Sequence, residues 1–340
     1  MTEPSIFRDR TILVTGGTGS IGSEMVRRLL DLRPRAVRVL SRDDSKQFEL
    51  AEELRGRSEL RMLIGDVRDR SRIARAMSGV DLVIHAAAMK HVPAAEFNPF
   101  EAVETNVRGT QNVVEAAIDA GVDRVLTVST DKAVDPTNVM GATKLLAERL
   151  MASAQLYRGA APTRFASVRF GNVIGSRGSI VPLILAQLAR GGPVTVTDPE
   201  MTRYLMPIRT AVDLCFTALE RMDGGEVFIL KMPRVRIGDL VDVLVEAYAG
   251  RYGLQAADIA IERIGVRAGE KVDEALISTD EAWRVIDGDE MWVVPRQQPN
   301  DVAPRTRAPM EPPRLLSRDE IRDLLDAAGW LAPEQLPKLA

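Results

Sequence analysis

"TILVTGGTGSIGSEMVRRLLDL" (11–32) is the stretch that determines the fold. A run of strand-forming residues leads into Gly16, Gly19 and Gly22, and an amphipathic helical pattern follows at once. Small residues let a backbone approach a pyrophosphate, and the N-terminus of the helix favours its charge. Glycines alone are a weak signal, but strand, glycine turn and helix in this order predict a dinucleotide-binding unit. A glycine-rich turn without a ligand is the alternative.

Short β-branched runs alternate with helical patterns over the first half of the chain. Strands are predicted at 11–15, 36–40, 59–64, 81–87, 124–129 and 164–175, and one long helix at 99–121. The alternation predicts an α/β protein: a Rossmann-type doubly wound parallel sheet with a smaller C-terminal substrate-binding α/β domain.

Composition limits the classes of partner. The 340 residues are 45% hydrophobic and 27% charged with a net charge of −3, as in ordinary soluble globular proteins, so we expect neither a nucleic acid nor a membrane as partner. The single cysteine, Cys215, lies in an apolar run and is predicted to be a buried helix residue. With two histidines, a metal site is not expected. No apolar signal core or membrane-length segment is recognised, and we expect a cytoplasmic protein.

The residues after the second strand bear on the choice of cofactor. An acidic residue there would bind the ribose 2′-hydroxyl of NAD, whereas this chain has Ser41 and Arg42, with Lys46 one turn later. A hydroxyl and cations suit the 2′-phosphate of NADP, which we favour. In the alternative, Arg42 is a solvated charge and Asp43 binds the ribose of NAD.

Several longer motifs resemble those of the extended short-chain dehydrogenase/reductase superfamily, and more narrowly those of the soluble UDP-N-acetylglucosamine (UDP-GlcNAc) 4,6-dehydratases. These motifs are "TGGTGSIG", "SRDDSKQFEL", "GDVRD", "HAAAMKHVP", "ETNVRGTQNV", "STDKAVDPTNVMGATK", "RFGNVIGSRGSIVP" and "GVRAGEKVDEALIS". "STDKA" is the most specific of them. The resemblance implies NADP, a UDP-sugar substrate, and activity even where Met140 stands in the position of the usual Tyr-x-x-x-Lys tyrosine.

The resemblance also assigns chemistry to residues. Dehydration oxidises sugar C4, eliminates water across C5 and C6, and returns the hydride to C6. Asp131 is implied as the acid at O6 and Lys132 as the base at C5, which requires that Asp131 be neutral and Lys132 able to lose its proton. Thr130 is expected to bond O4, and Lys144 the nicotinamide ribose. The O4 proton then passes to water, or along the ribose hydroxyl to Lys144.

The remaining site residues follow from position and resemblance. Asp66 and Val67 are expected beside the adenine, although "GDVRD" is also compatible with a helix cap; His85 is expected to be a packed structural residue. The cofactor-binding set is Gly16, Thr18, Gly19, Ser20, Ile21, Gly22, Ser41, Arg42, Lys46, Asp66, Val67, Ala86, Ala87, Ala88, Lys144, Asn172 and Val173. The substrate-binding set is Lys90, His91, Asn172, Arg203, Tyr204, Arg267 and Glu270, with an arginine at the diphosphate and Glu270 at the uridine ribose.

Domain boundaries are expected as follows. An NADP-binding Rossmann domain covers 1–172 with 205–232 returning to it, a nucleotide-sugar-binding domain covers 173–204 and 233–294, and 295–340 form a proline-rich tail and terminal helix. Ser317 is a predicted N-cap and Gly329 a predicted helix end. We expect this tail to pack as a strap on the substrate domain or on a neighbouring subunit.

Two other functions stay open on the sequence. A UDP-sugar 4-epimerase shares the 4-keto intermediate, and a catalytically silent NADP-binding protein is suggested only by Met140. The Asp131–Lys132 pair favours dehydration, because an epimerase has no need of an elimination pair. The expected assembly is a homo-oligomer, with a hexamer favoured.

Overall fold

The structure is a computed structural model that describes residues 5–296 and 313–331. The chain divides into two compact units. Where described, the first comprises 1–169, 212–230 and 277–309, and the second 170–211, 231–276 and 310–340. Within the described ranges no helix has both the length and the apolar character needed to cross a bilayer.

Fourteen strands and eleven α-helices are labelled here in chain order over the described residues. The strands are β1 (Thr11–Thr15), β2 (Ala36–Ser41), β3 (Leu60–Ile64), β4 (Leu82–His85), β5 (Arg124–Val128), β6 (Arg164–Arg169), β7 (Asn172–Val173), β8 (Val194–Val196), β9 (Thr202–Met206), β10 (Val227–Leu230), β11 (Arg234–Arg236), β12 (Ile261–Arg263), β13 (Ile286–Asp287) and β14 (Met291–Val294). The helices are α1 (Ser20–Asp31), α2 (Asp44–Glu53), α3 (Arg70–Met77), α4 (Val92–Phe97), α5 (Pro99–Val103), α6 (Gly109–Ala120), α7 (Val139–Tyr157), α8 (Ile180–Leu188), α9 (Ile208–Arg221), α10 (Ile237–Tyr248) and α11 (Arg318–Ala327).

The first unit is built on a nine-stranded sheet in the order β13-β14-β10-β6-β5-β4-β1-β2-β3. Strands β1 to β6 and β10 pair in parallel, and β14 adds antiparallel to β10. Every residue of β1 is buried, as expected for a strand covered on both faces. The predicted doubly wound parallel sheet is confirmed, and its carboxyl edge carries the glycine turn.

The second unit has its own apolar core. A three-stranded sheet in the order β11-β9-β7 and a parallel pair of β8 with β12 accompany α8, α10 and α11. The inward sides of α8 and α10 supply most of this core, and Ile321 and Leu325 of α11 complete it. The predicted N-cap is confirmed, since Ser317 and Glu320 form a reciprocal capping box. Gly329 ends the helical region at a φ of 77°.

The structure differs from the sequence-based expectation at one strand boundary and at two domain boundaries. The strand predicted at 164–175 breaks after Arg169, and Asn172 pairs with Leu205 in the second unit instead of continuing in the main sheet. Residues 277–294 were assigned to the second domain, yet "MWVV" of β14 pairs with β10 and places them in the first unit. The returning segment is 212–230, since residues 205 and 206 remain in β9.

Two further expectations concern helices. The helix predicted across 99–121 is interrupted by a π-turn, Glu104–Arg108, between α5 and α6. The predicted strap is observed in part, because α11 packs within the second unit against α10. The proline-rich stretch 297–312 lies outside the described residues.

Three buried charged side chains tie the end of β6 to α7 and to the segment before β13. The guanidinium of Arg169 donates two hydrogen bonds to Glu148 (3.1 and 2.7 Å) and two to Glu281 (2.7 and 2.8 Å). All three residues are less than 5% exposed. Burial alone would raise the pKa of Glu281, but the bonds from Arg169 lower it to about 2. The cluster carries a net charge of −1.

Arg169→Met is expected to lower the free energy of unfolding by about 3–5 kcal/mol, because it leaves two carboxylates buried without their cation. Arg164, on the same strand, provides a matched control. It bonds Asp123 at 2.8 Å and both side chains are 32% exposed, so Arg164→Met should cost about 0–1 kcal/mol. Urea unfolding of both variants measures the difference. Equal losses would contradict a special role for the buried cluster.

Candidate active site

The glycine turn after β1 is too tightly packed for any larger side chain. Gly16 has a φ of +66°, and a Cβ there would lie 2.7 Å from the backbone of Ala87. A Cβ on Gly22 would lie 2.3 Å from the carbonyl oxygen of Gly16. The turn leads directly into the N-terminus of α1, the end of a helix that favours an anion. The turn therefore fits a cofactor pyrophosphate.

The residues after β2 form polar contacts among themselves. Thr18 Oγ1 and Ser41 Oγ lie 2.7 Å apart, which joins the glycine turn to the end of β2. Arg42 lies 3.5 Å from Asp66, and Lys46 lies 2.6 Å from Asp43. Asp43 also accepts a hydrogen bond from the backbone of Lys46 and so caps α2. Because both cations have carboxylate partners, this geometry favours neither NADP nor NAD.

The residues predicted to lie near the adenine and the nicotinamide are of two kinds: some are held by contacts within the first unit, and others lie beside the glycine turn. Asp66 accepts three hydrogen bonds from Arg68, and Val67 is 4% exposed within the core of the first unit. Ala87 lies against Gly16, and the preceding Ala86 donates its N–H to the carbonyl of Thr15. Ala86 and Ala87 thus lie beside the glycine turn, and Ala88 follows them in the chain.

Thr130, Asp131 and Lys132 form one hydrogen-bonded group after β5. Asp131 is 0% exposed, and its Oδ1 accepts from Thr130 Oγ1 at 2.8 Å and from Lys132 Nζ at 3.0 Å. Its Oδ2 is buried and has no hydrogen-bond partner among the residues that the structure describes. The protein therefore holds Oδ1 of Asp131 in place, while Oδ2 has no partner among the described residues. A carboxyl in this arrangement can exchange a proton with a ligand through Oδ2.

The two halves of "STDKAVDPTNVMGATK" meet through backbone contact. A Cβ on Gly141 would lie 2.2 Å from the carbonyl oxygen of Lys132, so the first turn of α7 packs directly on the acid–base segment. Met140, 3% exposed, packs with Ala95 and Ala102. The side chain that replaces the usual tyrosine is thus an apolar packing group.

Lys144 is buried one turn further along α7. Its Nζ donates to the carbonyl oxygen of Val128 at 2.5 Å, and the residue is 6% exposed. Burial lowers the pKa of Lys144 to about 8, partly opposed by the negative charge of Glu148. The ammonium can therefore exchange its proton near neutral pH.

A polar network beside the site has no counterpart among the residues predicted from the sequence. Asn106, in the π-turn and 1% exposed, accepts from the backbone N–H of Met89 and donates to the Met89 carbonyl and to Thr143 Oγ1. It thereby joins the loop after β4 to the residue preceding Lys144. The stretch "ETNVRGT" was recognised as a motif, but the π-turn that aims Asn106 carries no sequence signal of its own.

His85 has the structural role that was predicted. Its ring lies 2.7 Å from Thr15 Oγ1 and 3.1 Å from Thr110 Oγ1. Complete burial lowers the pKa of His85 to about 3, so the ring is neutral at physiological pH. Cys215 is likewise buried, and burial raises the pKa of its thiol. Neither residue is available as a nucleophile or acid at neutral pH.

The second unit holds the other predicted substrate residues. Arg203 is 8% exposed, and its guanidinium donates to the carbonyls of Thr202, Lys271 and Val272 and lies 3.5 Å from Glu270. Tyr204 is buried on the same strand. Arg267 is exposed, and so are Lys90 and His91 in the first unit. Asn172 and Val173 pair with the end of β9.

Comparison with known proteins shows the family of this chain. The family model described as "Polysaccharide biosynthesis protein" matches residues 12–296. An inverting UDP-N-acetylglucosamine 4,6-dehydratase of Campylobacter jejuni is 43% identical, covering 82% of this chain and 80% of the relative. A protein of Rickettsia typhi named UDP-glucose 4-epimerase is 42% identical, covering 81% and 80%. An uncharacterized membrane protein of Methanocaldococcus jannaschii is 54% identical, covering 85% and 87%.

Solved structures give the same result. Pen from Bacillus thuringiensis superposes with a TM-score of 0.91 at 43% identity, covering 96% of this chain and 100% of Pen. A dTDP-glucose 4,6-dehydratase from Streptomyces venezuelae, DesIV with NAD bound, gives a TM-score of 0.70 at 26% identity, covering 78% and 88%. The fold is that of the extended short-chain dehydrogenases/reductases. Within them, the chain belongs to the polysaccharide biosynthesis protein family, as its motifs predicted.

Lys144→Met isolates the charge of the buried lysine. The pKa of Lys144 falls from 10.5 to about 8 on folding, so between these values the unfolded chain binds more protons than the folded one. The free energy of unfolding of the wild type relative to Lys144→Met should therefore rise from pH 8 to pH 10.5, by roughly 3 kcal/mol at about 1.4 kcal/mol per pKa unit. Urea unfolding at several pH values tests this, and a pH-independent difference would contradict it.

Proposed function

We propose that this protein is an NADP-dependent UDP-GlcNAc 4,6-dehydratase that forms a UDP-4-keto-6-deoxy-N-acetylhexosamine. The observation that carries the proposal is the buried Asp131 carboxyl, with Lys132 on one oxygen and no hydrogen-bond partner among the described residues on the other. An acid and a base in contact are what an elimination needs. The dehydratase at 43% identity supports the same substrate class. The name of that relative also supports inversion at C5.

The Asp131–Lys132 pair can supply both catalytic forms when Lys132 enters the reaction as a neutral amine and Asp131 as a carboxylate. The proton released from O4 in the oxidation passes to Asp131, which makes it the neutral acid that the elimination needs. Lys132 then takes the C5 proton while Asp131 protonates the departing O6 as water. The elimination leaves Lys132 as an ammonium and Asp131 as a carboxylate.

A bound nicotinamide cofactor would supply the acceptor for the hydride from sugar C4 and the donor of the hydride to C6. Around this transfer the chain's own residues must balance the protons. Lys132 gives its proton back to C5, and the face on which it does so sets the C5 configuration. Asp131 has lost one proton to water, and the oxidation at C4 has released one from O4. A path from O4 to Asp131 would therefore restore the acid in each turnover.

Thr130 provides that path in our proposal. Its hydroxyl already donates to Asp131 Oδ1 at 2.8 Å, and Thr130 is the residue expected to bond O4. A proton received from O4 can pass through this hydroxyl to Asp131, so no tyrosine is required. The alternative path runs along the ribose hydroxyl to Lys144, whose pKa of about 8 also permits exchange.

We propose the substrate contacts from the side chains that are exposed or have a buried polar atom without a partner among the described residues. Arg203 is already occupied by three backbone carbonyls, so the exposed Arg267 is the better partner for the UDP diphosphate. Glu270 Oε2 is buried without a hydrogen-bond partner among described residues, which suits a ribose hydroxyl donor. Lys90 and His91 remain proposed sugar contacts.

A homo-oligomer, with a hexamer favoured, also stays a prediction. Phe97 and Phe100 are exposed apolar side chains that a subunit interface would cover.

A UDP-sugar 4-epimerase is the second candidate, supported by the Rickettsia relative. Incubation with UDP-GlcNAc, followed by mass spectrometry and NMR of the product, separates the candidates. Loss of one water with a C6 methyl group identifies a dehydratase, whereas equal mass with an inverted C4 identifies an epimerase. No turnover with NADP or NAD would overturn the proposal in favour of a silent cofactor-binding protein.

Asp131→Asn and Lys132→Met should each lower turnover by about 100- to 10,000-fold, the usual range for losing a general acid or base. In deuterated water the two variants should differ. Asp131→Asn keeps the base, so recovered UDP-GlcNAc acquires deuterium at C5 without losing water. Lys132→Met should show neither reaction. Deuterium incorporation in Lys132→Met would assign the C5 base to another residue.

Thr130→Val should slow turnover by about 100-fold or more, because it removes the proposed proton path while keeping the shape of the side chain. Thr130→Ser, which keeps the hydroxyl, and Met140→Leu, which keeps the packing, should stay within about threefold of the wild type. Steady-state rates with saturating UDP-GlcNAc measure all three. A fully active Thr130→Val would direct the O4 proton to Lys144.

A further inference from the structure

Trp330 follows the last helix of the second unit and is held on several sides. Its N–H donates to the carbonyl of Leu325 at 2.9 Å, and its own carbonyl accepts from the Tyr248 hydroxyl. Arg251 lies over the ring of Tyr248 at 4.6 Å and donates to the Leu331 carbonyl at 2.7 Å. The backbone of Trp330 therefore has a defined position.

The indole ring fills the volume that a side chain on Gly175 would occupy. Gly175 has a φ of +74°, and a Cβ built there would lie 2.2, 2.6 and 2.7 Å from three atoms of the Trp330 ring. Contacts this short are impossible, so the ring lies directly on the backbone of residue 175. Among the described glycines given an ideal Cβ, Gly253 has a similar φ of +72° but no atom within 4 Å.

Gly175 lies in the loop between β7 and α8, three residues after Asn172. The other side of this loop is pinned by β9, through the pairing of Asn172 with Leu205 and a hydrogen bond from Ile174 to the Met206 carbonyl at 2.9 Å. The loop is thus held between a strand and an indole. It carries Asn172 and Val173, which the sequence predicts to contact the cofactor, and Asn172 is predicted to contact the substrate as well.

The helix that precedes Trp330 is firmly attached to α10. Arg318 forms hydrogen-bonded ion pairs with Asp239 and Asp242, and Arg322 pairs with Glu246 at 2.8 Å. Ile321 and Leu325, at 0% and 1% exposure, lie in the core of the second unit. These ion pairs and core contacts fix the position of α11, and therefore the point at which Trp330 contacts the β7–α8 loop.

We propose that Trp330 is a positioning residue for the nucleotide-sugar site: the C-terminal helix delivers an indole that holds the backbone of the β7–α8 loop in its binding conformation. This inference rests on the proposed function, because it takes the loop as part of the UDP-sugar site. The terminal segment would then set affinity for the substrate without contacting it.

A double-mutant cycle tests the contact itself. Gly175→Ala suffers both the unfavourable φ and the clash with the indole, whereas Gly253→Ala suffers the unfavourable φ alone. Gly175→Ala should therefore lower Tm more than Gly253→Ala does. In a Trp330→Ala background the two glycine substitutions should lower Tm equally. A persisting excess at Gly175 would show that the indole does not occupy this volume and would overturn the inference.

A kinetic experiment compares KM and kcat for UDP-GlcNAc between Trp330→Ala and Leu324→Ala. Leu324 lies on the same helix and packs partly buried against the same core, but it is not the residue on Gly175. Trp330→Ala should raise KM for UDP-GlcNAc about tenfold with kcat within about threefold, since misplaced loops chiefly weaken binding. Trp330→Phe should recover most of the affinity, and Leu324→Ala should leave KM unchanged while lowering Tm.

The outcomes separate the inference from the proposed function. If the wild type converts UDP-GlcNAc and Trp330→Ala has the same KM, the positioning role is wrong while the dehydratase assignment stands. If the wild type does not convert UDP-GlcNAc, the proposed function fails, and calorimetric titration with UDP then decides the inference. Weaker UDP binding by Trp330→Ala supports it, and equal or undetectable binding by both proteins overturns it.

Discussion

The arrangement of the first unit depends on the buried ion pairs that Arg169 forms with Glu148 and Glu281. Arg169 is the last residue of this unit before the chain enters the second, and Glu281 follows soon after the chain returns. Glu148 brings the third charge from the middle of α7. Because a guanidinium binds carboxylates in a fixed planar geometry, the cluster sets not only the distance but also the rotation of α7.

That rotation matters for the site. Met140, Lys144 and Glu148 are spaced by four residues and so share one face of α7. Fixing Glu148 on Arg169 therefore directs Lys144 to the carbonyl of Val128. The negative charge of Glu148 also opposes the effect of burial on the Lys144 ammonium, whose pKa is about 8.

The sequence predicted the features that rest on local chemistry. The strand–glycine–helix order, the cap at Ser317 and the packed role of His85 each follow from rules that act over a few residues, and the structure agrees with them. Features that depend on distant partners were missed. Arg169 reads as an ordinary strand charge until Glu281 pairs with it, and "MWVV" carries no sign of which sheet edge it joins.

Distant partners also explain why the roles of the cations in the predicted site do not follow from the sequence. Arg42 and Lys46 looked like ligands for a phosphate because sequence cannot show that Asp66 and Asp43 pair with them. Arg203 looked available for a diphosphate, yet three carbonyls of neighbouring backbone occupy it. Basic residues in a motif show where an anion is expected, but only their contacts show which of them still has donors to offer.

The contact between Gly141 and Lys132 has a consequence for how such a site can change over time. The acid–base pair is held in place by a backbone approach that tolerates no side chain at 141, whereas Met140 packs in an apolar cluster with Ala95 and Ala102. The identity of the side chain at 140 is therefore mechanically independent of the geometry at 131 and 132. A phenol can be exchanged for a thioether there without disturbing the elimination machinery, so the oxidation step is free to find a new proton route while dehydration is preserved.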